Sequence, residues 1–157
     1  RGKDGTAGEV GHICVEPNGH PCGCGSRGCI EQYASATAII RSAISAGLEV
    51  ASSSDVYEAA KNGDERASAV FSSMGSYLGI GLAGLVNVPN PEMIVLGGGV
   101  SAAWDLFADE VRREVDERAF PEPADRVKIV RAELGDDAGI LGAARAVFAS
   151  VGRGATN

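Results

Sequence analysis

The chain has few basic residues and no long uninterrupted apolar stretch, the features that nucleic-acid-binding and membrane-spanning proteins require. Its 14 lysines and arginines are outnumbered by 21 acidic residues, which gives a formal net charge of −7 at pH 7. That balance is opposite in sign to the basic surfaces that contact phosphate backbones and anionic lipids. No apolar stretch reaches the length of a membrane span, because the best candidate, Leu78 to Val88, carries three glycines and ends at Pro89. We therefore expect this chain to bind no nucleic acid and no membrane.

The sequence also lacks an initiator methionine, a signal peptide and a phosphate-binding loop of the G-x-x-x-x-G-K-[ST] type. It opens at Arg1 in a glycine-rich loop with no strand before it. At 157 residues, with 45% hydrophobic and 22% charged residues, the chain is long enough to bury one core without the help of disulfides. We expect a single globular lobe that starts partway through a longer protein.

Cysteine is scarce but concentrated. The chain has four cysteines, and three of them fall in the segment PCGCGSRGCIEQ at residues 21–32. Cys22 and Cys24 are separated by one residue, which is too close for an easy disulfide between them. Without a secretion signal, clustered cysteines indicate a metal more often than a disulfide framework. Tetrahedral zinc accepts three thiolates and one imidazole, so the fourth ligand would come from upstream. The upstream candidates are Cys14, His12 and His20.

Glycines separate these cysteines and predict a segment that folds back on itself, because glycine adopts positive φ at little cost. Residues 23–28 also match the dinucleotide pattern G-x-G-x-x-G. That pattern has meaning only between a strand and a helix. Here a proline-containing loop precedes it, and we reject a dinucleotide site at these residues.

Two motifs around the cysteines carry a family resemblance. Residues 8–12 read GEVGH, and residues 22–35 read CGCGSRGCIEQYAS. Together they resemble the zinc-bearing region of the ROK family, which comprises bacterial sugar kinases, glucokinases among them, and sugar-responsive repressors. The long motif and its fixed spacings make the resemblance specific.

The resemblance implies a structural zinc with four protein ligands. They are His12, Cys22, Cys24 and Cys29. It leaves His20 and Cys14 outside the ligand set, although spacing alone also admits His20 in place of His12. Cys14 stands in an alternating apolar run and is predicted to be a small packed residue. A zinc ion with four protein ligands has no open position and would not act as a Lewis acid.

The same resemblance implies that Glu9, His12 and Glu31 hold the hydroxyls of a hexose. An ionised carboxylate accepts two hydroxyl protons at once, in strong charge-assisted hydrogen bonds. His12 would bind zinc through one ring nitrogen and a sugar hydroxyl through the other. Glucose is the hexose that the motif favours, by resemblance alone.

The rest of the sequence alternates helical and extended patterns, which predicts an α/β fold. Helices are predicted at residues 30–47, 53–60, 65–88, 102–118 and 138–150, and strands at residues 92–96 and 127–131. Ser101 is the predicted N-cap of the fourth helix, and Asp136 or Asp137 that of the last. The predicted core face of the last helix consists of Ile140, Leu141, Ala144, Val147 and Phe148.

Four glycines interrupt the long third helix, at positions 75, 79, 81 and 84. Each costs about 0.8–1.0 kcal/mol relative to alanine in a helix interior. Their accumulation predicts that another element packs very close to this helix.

A glycine run follows the first predicted strand. Gly97, Gly98 and Gly99 lie where a strand passes into a helix, an arrangement that lets the backbone approach a nucleotide phosphate. The run NPEMIVLGGGVS also resembles the adenosine-side segment of the ROK family, so we assign the three glycines to an ATP cleft. The spacing of Gly97, Gly99 and Ala102 also fits a dinucleotide fingerprint, which makes an NAD-binding domain an alternative. A plain tight turn is the structural alternative.

Over residues 1–150 the resemblance implies the C-terminal lobe of a two-lobe, actin-like ATPase (ribonuclease H-like) fold. A zinc and sugar loop would occupy residues 8–35, a nucleotide-side turn residues 96–101, and a tail residues 151–157. The phosphate loop and catalytic aspartate of the family pattern lie upstream of the part that matches, so no catalytic base is assigned here.

The implied activity is phosphorylation of a hexose by ATP with Mg²⁺, most simply glucose to glucose 6-phosphate, by a cytoplasmic homodimer. The alternative is the effector-binding lobe of a ROK-type transcriptional repressor, whose DNA-binding segment would also lie upstream.

Overall fold

A computed structural model describes residues 2–154 of the chain. It contains helices, short 3₁₀ segments and a two-stranded parallel sheet, which confirms the predicted α/β class. The main elements are α1 (Ala36–Ser45), α2 (Ser53–Lys61), α3 (Glu65–Asn87), β1 (Met93–Leu96), α4 (Ala108–Arg118), α5 (Pro121–Arg126), β2 (Lys128–Arg131) and α6 (Ala138–Gly154). The 3₁₀ segments are Val10–His12, Ile30–Gln32, Gly99–Leu106 and Gly135–Asp137.

Helix α1 begins later than the predicted residue 30. Ser35 has an extended backbone (φ −127°, ψ 163°), so the helix cannot run through it, and its hydroxyl accepts a hydrogen bond from the Ala38 N–H at 3.2 Å. That is the geometry of an N-cap. Residues 30–32 form a separate 3₁₀ turn instead.

Ser101 is not an N-cap, contrary to the prediction. It lies buried inside the 3₁₀ segment Gly99–Leu106, and α4 starts only at Ala108. The backbone leaves the helical region at Ala103 (φ −88°, ψ 22°) and at Phe107 (φ −137°), which divides the predicted helix in two. Helix α5 was not predicted, although a proline occupies its first turn, where proline is well tolerated.

Helix α3 is the centre of the core and packs along α4. A Cβ at Gly75 would lie 2.7 Å from the carbonyl oxygen of Phe107, and one at Gly79 would lie 2.8 Å from that of Val111. No side chain fits at either position, so the predicted close approach is confirmed there. Gly84 differs, since a Cβ at that position would meet no atom within 4 Å.

By length and composition α3 is apolar enough to cross a membrane, and it is the one such helix among the described residues. The expectation that no stretch reaches this length was therefore wrong. Half of the most apolar stretch of α3 is buried inside the molecule. Its apolar character is accounted for by its place in the core, against Phe107, Val111 and Val115 of the α4 region.

Strands β1 and β2 pair in parallel, with Met93 opposite Lys128 and Leu96 opposite Arg131. Helices α4 and α5 form the crossover that a parallel pair requires. Ile94 and Leu96 point towards the core, whereas Met93 and Val95 on the other face are 49% and 56% exposed.

Helix α6 has no buried core face among the described residues, contrary to the prediction. The apolar side chains of its predicted core face are exposed, with Ile140 at 73% and Phe148 at 78%. The reason is that no other described element covers that side of the helix. The helix also continues to Gly154, past the predicted end at Ser150, and the last three residues of the predicted tail lie outside the described part. Asp137 lies in the 3₁₀ turn before α6, and the side chain of Asp136 lies outside the described residues.

Candidate metal and sugar site

The cysteine-rich segment is a hairpin held by two antiparallel bridges. Cys14 pairs with Cys29, and Pro21 pairs with Arg27. At the inner end of the hairpin the Gly28 backbone has φ +69°, and a Cβ at that position would lie 1.7 Å from the carbonyl oxygen of Glu16. Gly25 also has positive φ, at +90°. The predicted need for glycine in this turn is confirmed at these two positions.

The hairpin brings together the four residues that the family resemblance named as zinc ligands. Ligand atoms of His12, Cys22, Cys24 and Cys29 all lie within 4.8 Å of one another. The Cys24 and Cys29 sulfurs are 3.6 Å apart, and the Cys22 sulfur is 3.6 Å from His12 Nδ1.

Zinc fits this cluster in size and in chemistry. Tetrahedral zinc with Zn–S bonds of about 2.3 Å and Zn–N bonds of about 2.1 Å places its ligand atoms roughly 3.6–3.8 Å apart. The two measured separations match those edges. Three thiols and one imidazole are also the donor set of structural zinc sites. The cluster can therefore hold a metal ion without rearrangement of the backbone.

The thiols of the cluster differ in acidity. Backbone hydrogen bonding from Cys24 lowers the pKa of Cys22 to about 7, against the opposing effect of burial. Burial, followed by contacts with Cys22 and Cys24, raises the pKa of Cys29 to about 12. Without a cation, the four groups cannot all be in the form that binds metal at neutral pH, so metal binding must release protons.

His20 and Cys14 lie outside the cluster. His20 packs against Tyr33, with ring centroids 5.5 Å apart, and its backbone N–H donates to the Tyr33 hydroxyl at 3.0 Å. His12 is thus the histidine of the cluster. Cys14 is exposed, so its predicted burial was wrong. It is the bridge partner of Cys29, which is buried.

Two of the three predicted sugar-binding residues are close together. Glu31 Oε2 lies 3.8 Å from His12 Nδ1, and the Glu31 side chain is 51% exposed. Nδ1 faces both Cys22 and Glu31, which leaves Nε2 of His12 for another partner. Glu9 is exposed and directly precedes the 3₁₀ turn that carries His12. The His12 backbone N–H donates to the Glu9 carbonyl at 3.1 Å, which ties the two residues together through the backbone.

Helix α3 holds the hairpin in place through contacts that were not predicted from the sequence. A Cβ at Gly81 would lie 2.3 Å from Ile30 Cδ1, so the missing side chain admits Ile30, the residue between Cys29 and Glu31. Tyr33 stacks on Tyr77 of α3 at a centroid distance of 4.0 Å. In the sequence, the glycines of α3 indicated that another element packs close to this helix. They did not indicate that the residue packed against Gly81 is Ile30.

The predicted nucleotide-side turn follows β1. Gly98 has φ +85°, and all three glycines of the run are exposed. Gly99 borders a small cavity of about 50 Å³ between α1, α2 and α3. Its lining is mainly apolar and comprises Ile39, Ser53, Ser54, Tyr57, Phe71, Gly99, Val100, Ala102 and Ala103. The sequence reasoning did not include Tyr57 or Phe71.

The fold and the hairpin define an α/β domain with a Cys₃His metal-type cluster beside an exposed carboxylate. A profile of the ROK family matches residues 1–149. The chain belongs to the ROK family.

Both kinases and repressors are among its relatives. It is 40% identical over 156 residues to a glucokinase of Halalkalibacterium halodurans, covering 90% of this chain and 47% of that protein. It is 34% identical to the xylose repressor of Bacillus spizizenii, covering 90% of this chain and 37% of the repressor. The chain therefore spans about half the length, or less, of these curated relatives.

Among solved structures, the ROK family glucokinase of Streptomyces griseus in complex with glucose and AMPPNP superposes with a TM-score of 0.76 at 34% identity. The match covers 88% of this chain and 50% of that one.

Proposed function

We propose that this chain is the sugar-reading half of an ATP-dependent hexose kinase with the actin-like two-lobe fold, and that its substrate is glucose. The observation that carries the proposal is the Glu31 carboxylate 3.8 Å from His12 Nδ1, at the edge of the metal cluster. An exposed carboxylate in that position can accept hydrogen bonds from the hydroxyls of a sugar. The cluster would hold the neighbouring His12 ring in place.

In this proposal the metal is structural zinc bound by His12, Cys22, Cys24 and Cys29. It would stiffen the hairpin and fix the orientation of the His12 ring. Nε2 of His12 and the carboxylates of Glu9 and Glu31 would then hydrogen-bond to the same sugar molecule. A site built for specific hydroxyls rejects analogues that lack them, because an unpaired desolvated carboxylate is costly.

The Gly97–Gly99 turn would form part of the ATP side of the cleft, with Mg²⁺ bound to the nucleotide. Exposed backbone with positive φ at Gly98 supports this placement, as does the neighbouring apolar cavity. Transfer of the γ-phosphoryl group needs a base for the hydroxyl proton, and that base would come from the segment that the relatives have in addition.

The second candidate is the effector-binding lobe of a sugar-responsive repressor. The xylose repressor of Bacillus spizizenii, at 34% identity over 90% of this chain, supports it. Such a protein would bind the sugar at the same residues but transfer no phosphoryl group.

Free thiols and a zinc cluster suit a reducing compartment, so we place the protein in the cytoplasm. We also expect a homodimer, as the family resemblance implies. Light scattering on the purified full-length protein would measure its mass directly.

The test uses the full-length protein, glucose and ATP. We expect glucose-dependent production of ADP, and a glucose affinity that falls by about tenfold to a hundredfold in Glu31→Gln, the range for loss of one charge-assisted hydrogen bond. The matched control is Glu92→Gln, an exposed glutamate just before β1, which should leave binding and turnover unchanged.

The outcomes separate the candidates. Glucose binding without ADP formation would identify the repressor lobe. Saturable binding of NADH without binding of ATP analogues would instead favour a dinucleotide site at the glycine turn. Loss of glucose binding in Glu92→Gln, or none in Glu31→Gln, would contradict the assigned sugar site.

A further inference from the structure

Cys14 is the one cysteine that the proposed metal site does not use. Its side chain is exposed, whereas its bridge partner Cys29 is completely buried. The pairing places an exposed cysteine directly opposite a cysteine of the metal cluster on the neighbouring strand.

The hydrogen bonds around the pair define its geometry. Val15 N–H donates to the Gly28 carbonyl at 2.8 Å, and Ile30 N–H donates to the Ile13 carbonyl at 3.0 Å. These bonds flank Cys14 and Cys29 without joining them, which makes the two cysteines a non-hydrogen-bonded antiparallel pair. In such pairs the Cα atoms are about 4.5 Å apart and the side chains lie on the same face.

That geometry accommodates a disulfide. Disulfides join residues whose Cα atoms are roughly 4.4–6.8 Å apart, so this pair falls within the range without movement of either strand.

We propose that Cys14 and Cys29 form an oxidation site, at which a peroxide converts the two thiols into a disulfide that removes Cys29 from the metal. The proposal rests on the metal site proposed above. It adds a reversible chemical modification that is independent of sugar and nucleotide.

The reaction balances in two steps. The Cys14 thiolate attacks one peroxide oxygen and the O–O bond breaks, which gives a sulfenic acid and a hydroxide; the hydroxide takes up the proton that the thiol had released and becomes the first water. The Cys29 sulfur then attacks the Cys14 sulfur and the S–O bond breaks. The hydroxide that leaves takes up a proton and becomes the second water. Two cysteine sulfurs lose two electrons in total, and the peroxide gains them.

Loss of Cys29 leaves the metal with three protein ligands, His12, Cys22 and Cys24. A three-ligand site lacks the closed shell of a structural zinc centre and binds more weakly. Oxidation would thus release zinc and loosen the hairpin that carries Glu31. Reduction of the disulfide in the presence of zinc would restore the site.

The experiment starts from the full-length protein, purified under reducing conditions, with its zinc content measured first. Hydrogen peroxide is added, released zinc is followed with a chromogenic chelator, and the cross-linked peptides are mapped by mass spectrometry after alkylation. We expect a disulfide between Cys14 and Cys29, formed in step with zinc release and reversed by dithiothreitol plus zinc.

The control is Cys14→Ser, at an exposed position where circular dichroism can verify the fold, with Cys14→Ala as a second variant. Both should retain zinc and release it at least about tenfold more slowly under the same peroxide. Equal release from wild type and Cys14→Ser would overturn the proposal. So would a disulfide between Cys24 and Cys29, whose sulfurs are 3.6 Å apart.

Failure of the metal site can be told apart from failure of the oxidation site. A reduced protein that contains no zinc would refute the metal site, and the peptide map would still decide the cross-link. A zinc-loaded protein that loses zinc without the cross-link between Cys14 and Cys29 would refute the oxidation site alone.

Discussion

Cys29 is the residue at which strand pairing and metal binding meet. It pairs with Cys14, contributes a sulfur to the cluster and is completely buried. The next residue along the chain packs into the space left by Gly81 of α3, and the one after that is Glu31. One buried thiol thus links the Cys₃His cluster to the core on one side and to the candidate sugar site on the other.

Protons should compete with zinc at this thiol. Burial holds the pKa of Cys29 near 12, and Cys22 has a pKa of about 7. Below pH 7 both thiols carry protons that zinc must displace, so we expect the zinc affinity to rise at least about tenfold per pH unit between about pH 6 and 7. Chelator competition at several pH values measures the slope.

The variant Cys29→Ser should weaken zinc binding at every pH and reduce the number of protons released. Cys14→Ser should leave the slope unchanged, because Cys14 lies outside the cluster. A zinc affinity independent of pH in wild type would contradict the assignment of protonated thiols to the metal-free site.

At this scale the structure brings His12 and the three cysteines together, as the family resemblance implied. Spacing alone had left His20 as an alternative to His12, and the neighbours of the cluster were predicted less well. Cys14 was expected to be packed because it stands in an alternating run. Burial depends on which element covers that face, and this is a property of the tertiary structure that alternation cannot report.

At the scale of elements, α3 organises the molecule. It packs along α4 through Gly75 and Gly79, and it receives the hairpin at Gly81 and Tyr77. The sequence predicted its length closely and the close packing correctly. It did not predict the breaks at Ser35 and Phe107, because both arise where a cap or a buried aromatic ring outweighs helical periodicity.

Two glycines of α3 should respond oppositely to alanine. In Gly79→Ala the new Cβ would lie 2.6 Å from Glu114 Cβ, and we expect a loss of about 1–3 kcal/mol of unfolding free energy from overpacking. In Gly84→Ala it would meet nothing within 4 Å, and the gain in helix propensity should stabilise the protein by about 0.5–1 kcal/mol. Urea denaturation of both variants tests the pair, and a shift of both in the same direction would refute this packing.

The start of α3 should depend on pH. Asp64 is its N-cap, accepting hydrogen bonds from the Arg66 and Ala67 N–H groups. The side chain of Arg66 is the main cause that lowers the Asp64 pKa to about 2 from an ordinary value of 3.8. Because the folded pKa is the lower one, this contribution to stability is full above about pH 4 and is lost as pH falls towards 2.

The variant Asp64→Asn tests that dependence. We expect it to be less stable than wild type near neutral pH, because asparagine retains a cap but loses the charge facing Arg66. The difference between the two unfolding free energies should shrink as the pH falls from about 4 to about 2. A difference that is constant across this range would show that the ionised carboxylate contributes nothing.

At the scale of the whole molecule, the outer face of β1 and the surface of α6 are unusually apolar. Met93 and Val95 on the outer face of β1 are about half exposed, and Ile140 and Phe148 of α6 are more exposed still. A groove of about 490 Å³ lies between β1, β2 and the start of α6. Exposed apolar patches of this kind mark surfaces that another part of a protein or a partner covers. The sequence pattern of α6 predicted burial, and the part of the chain that the structure describes does not provide it.

We expect the 157-residue chain, expressed alone, to bind a hydrophobic dye strongly, and a full-length ROK protein that contains it to bind much less. The double variant Met93→Ser with Val95→Thr should reduce dye binding with little loss of stability. The matched control is Ile94→Thr on the inner face of the same strand, which packs against the core, and it should destabilise the fold. Weak dye binding by the isolated chain would refute an exposed apolar face.

The pinch at Gly28, where the backbone passes within contact of the Glu16 carbonyl with φ +69°, leaves no room for even a methyl group. Any side chain at that position would force the Glu16 backbone away, so replacing this one glycine would disturb both strands of the hairpin at once.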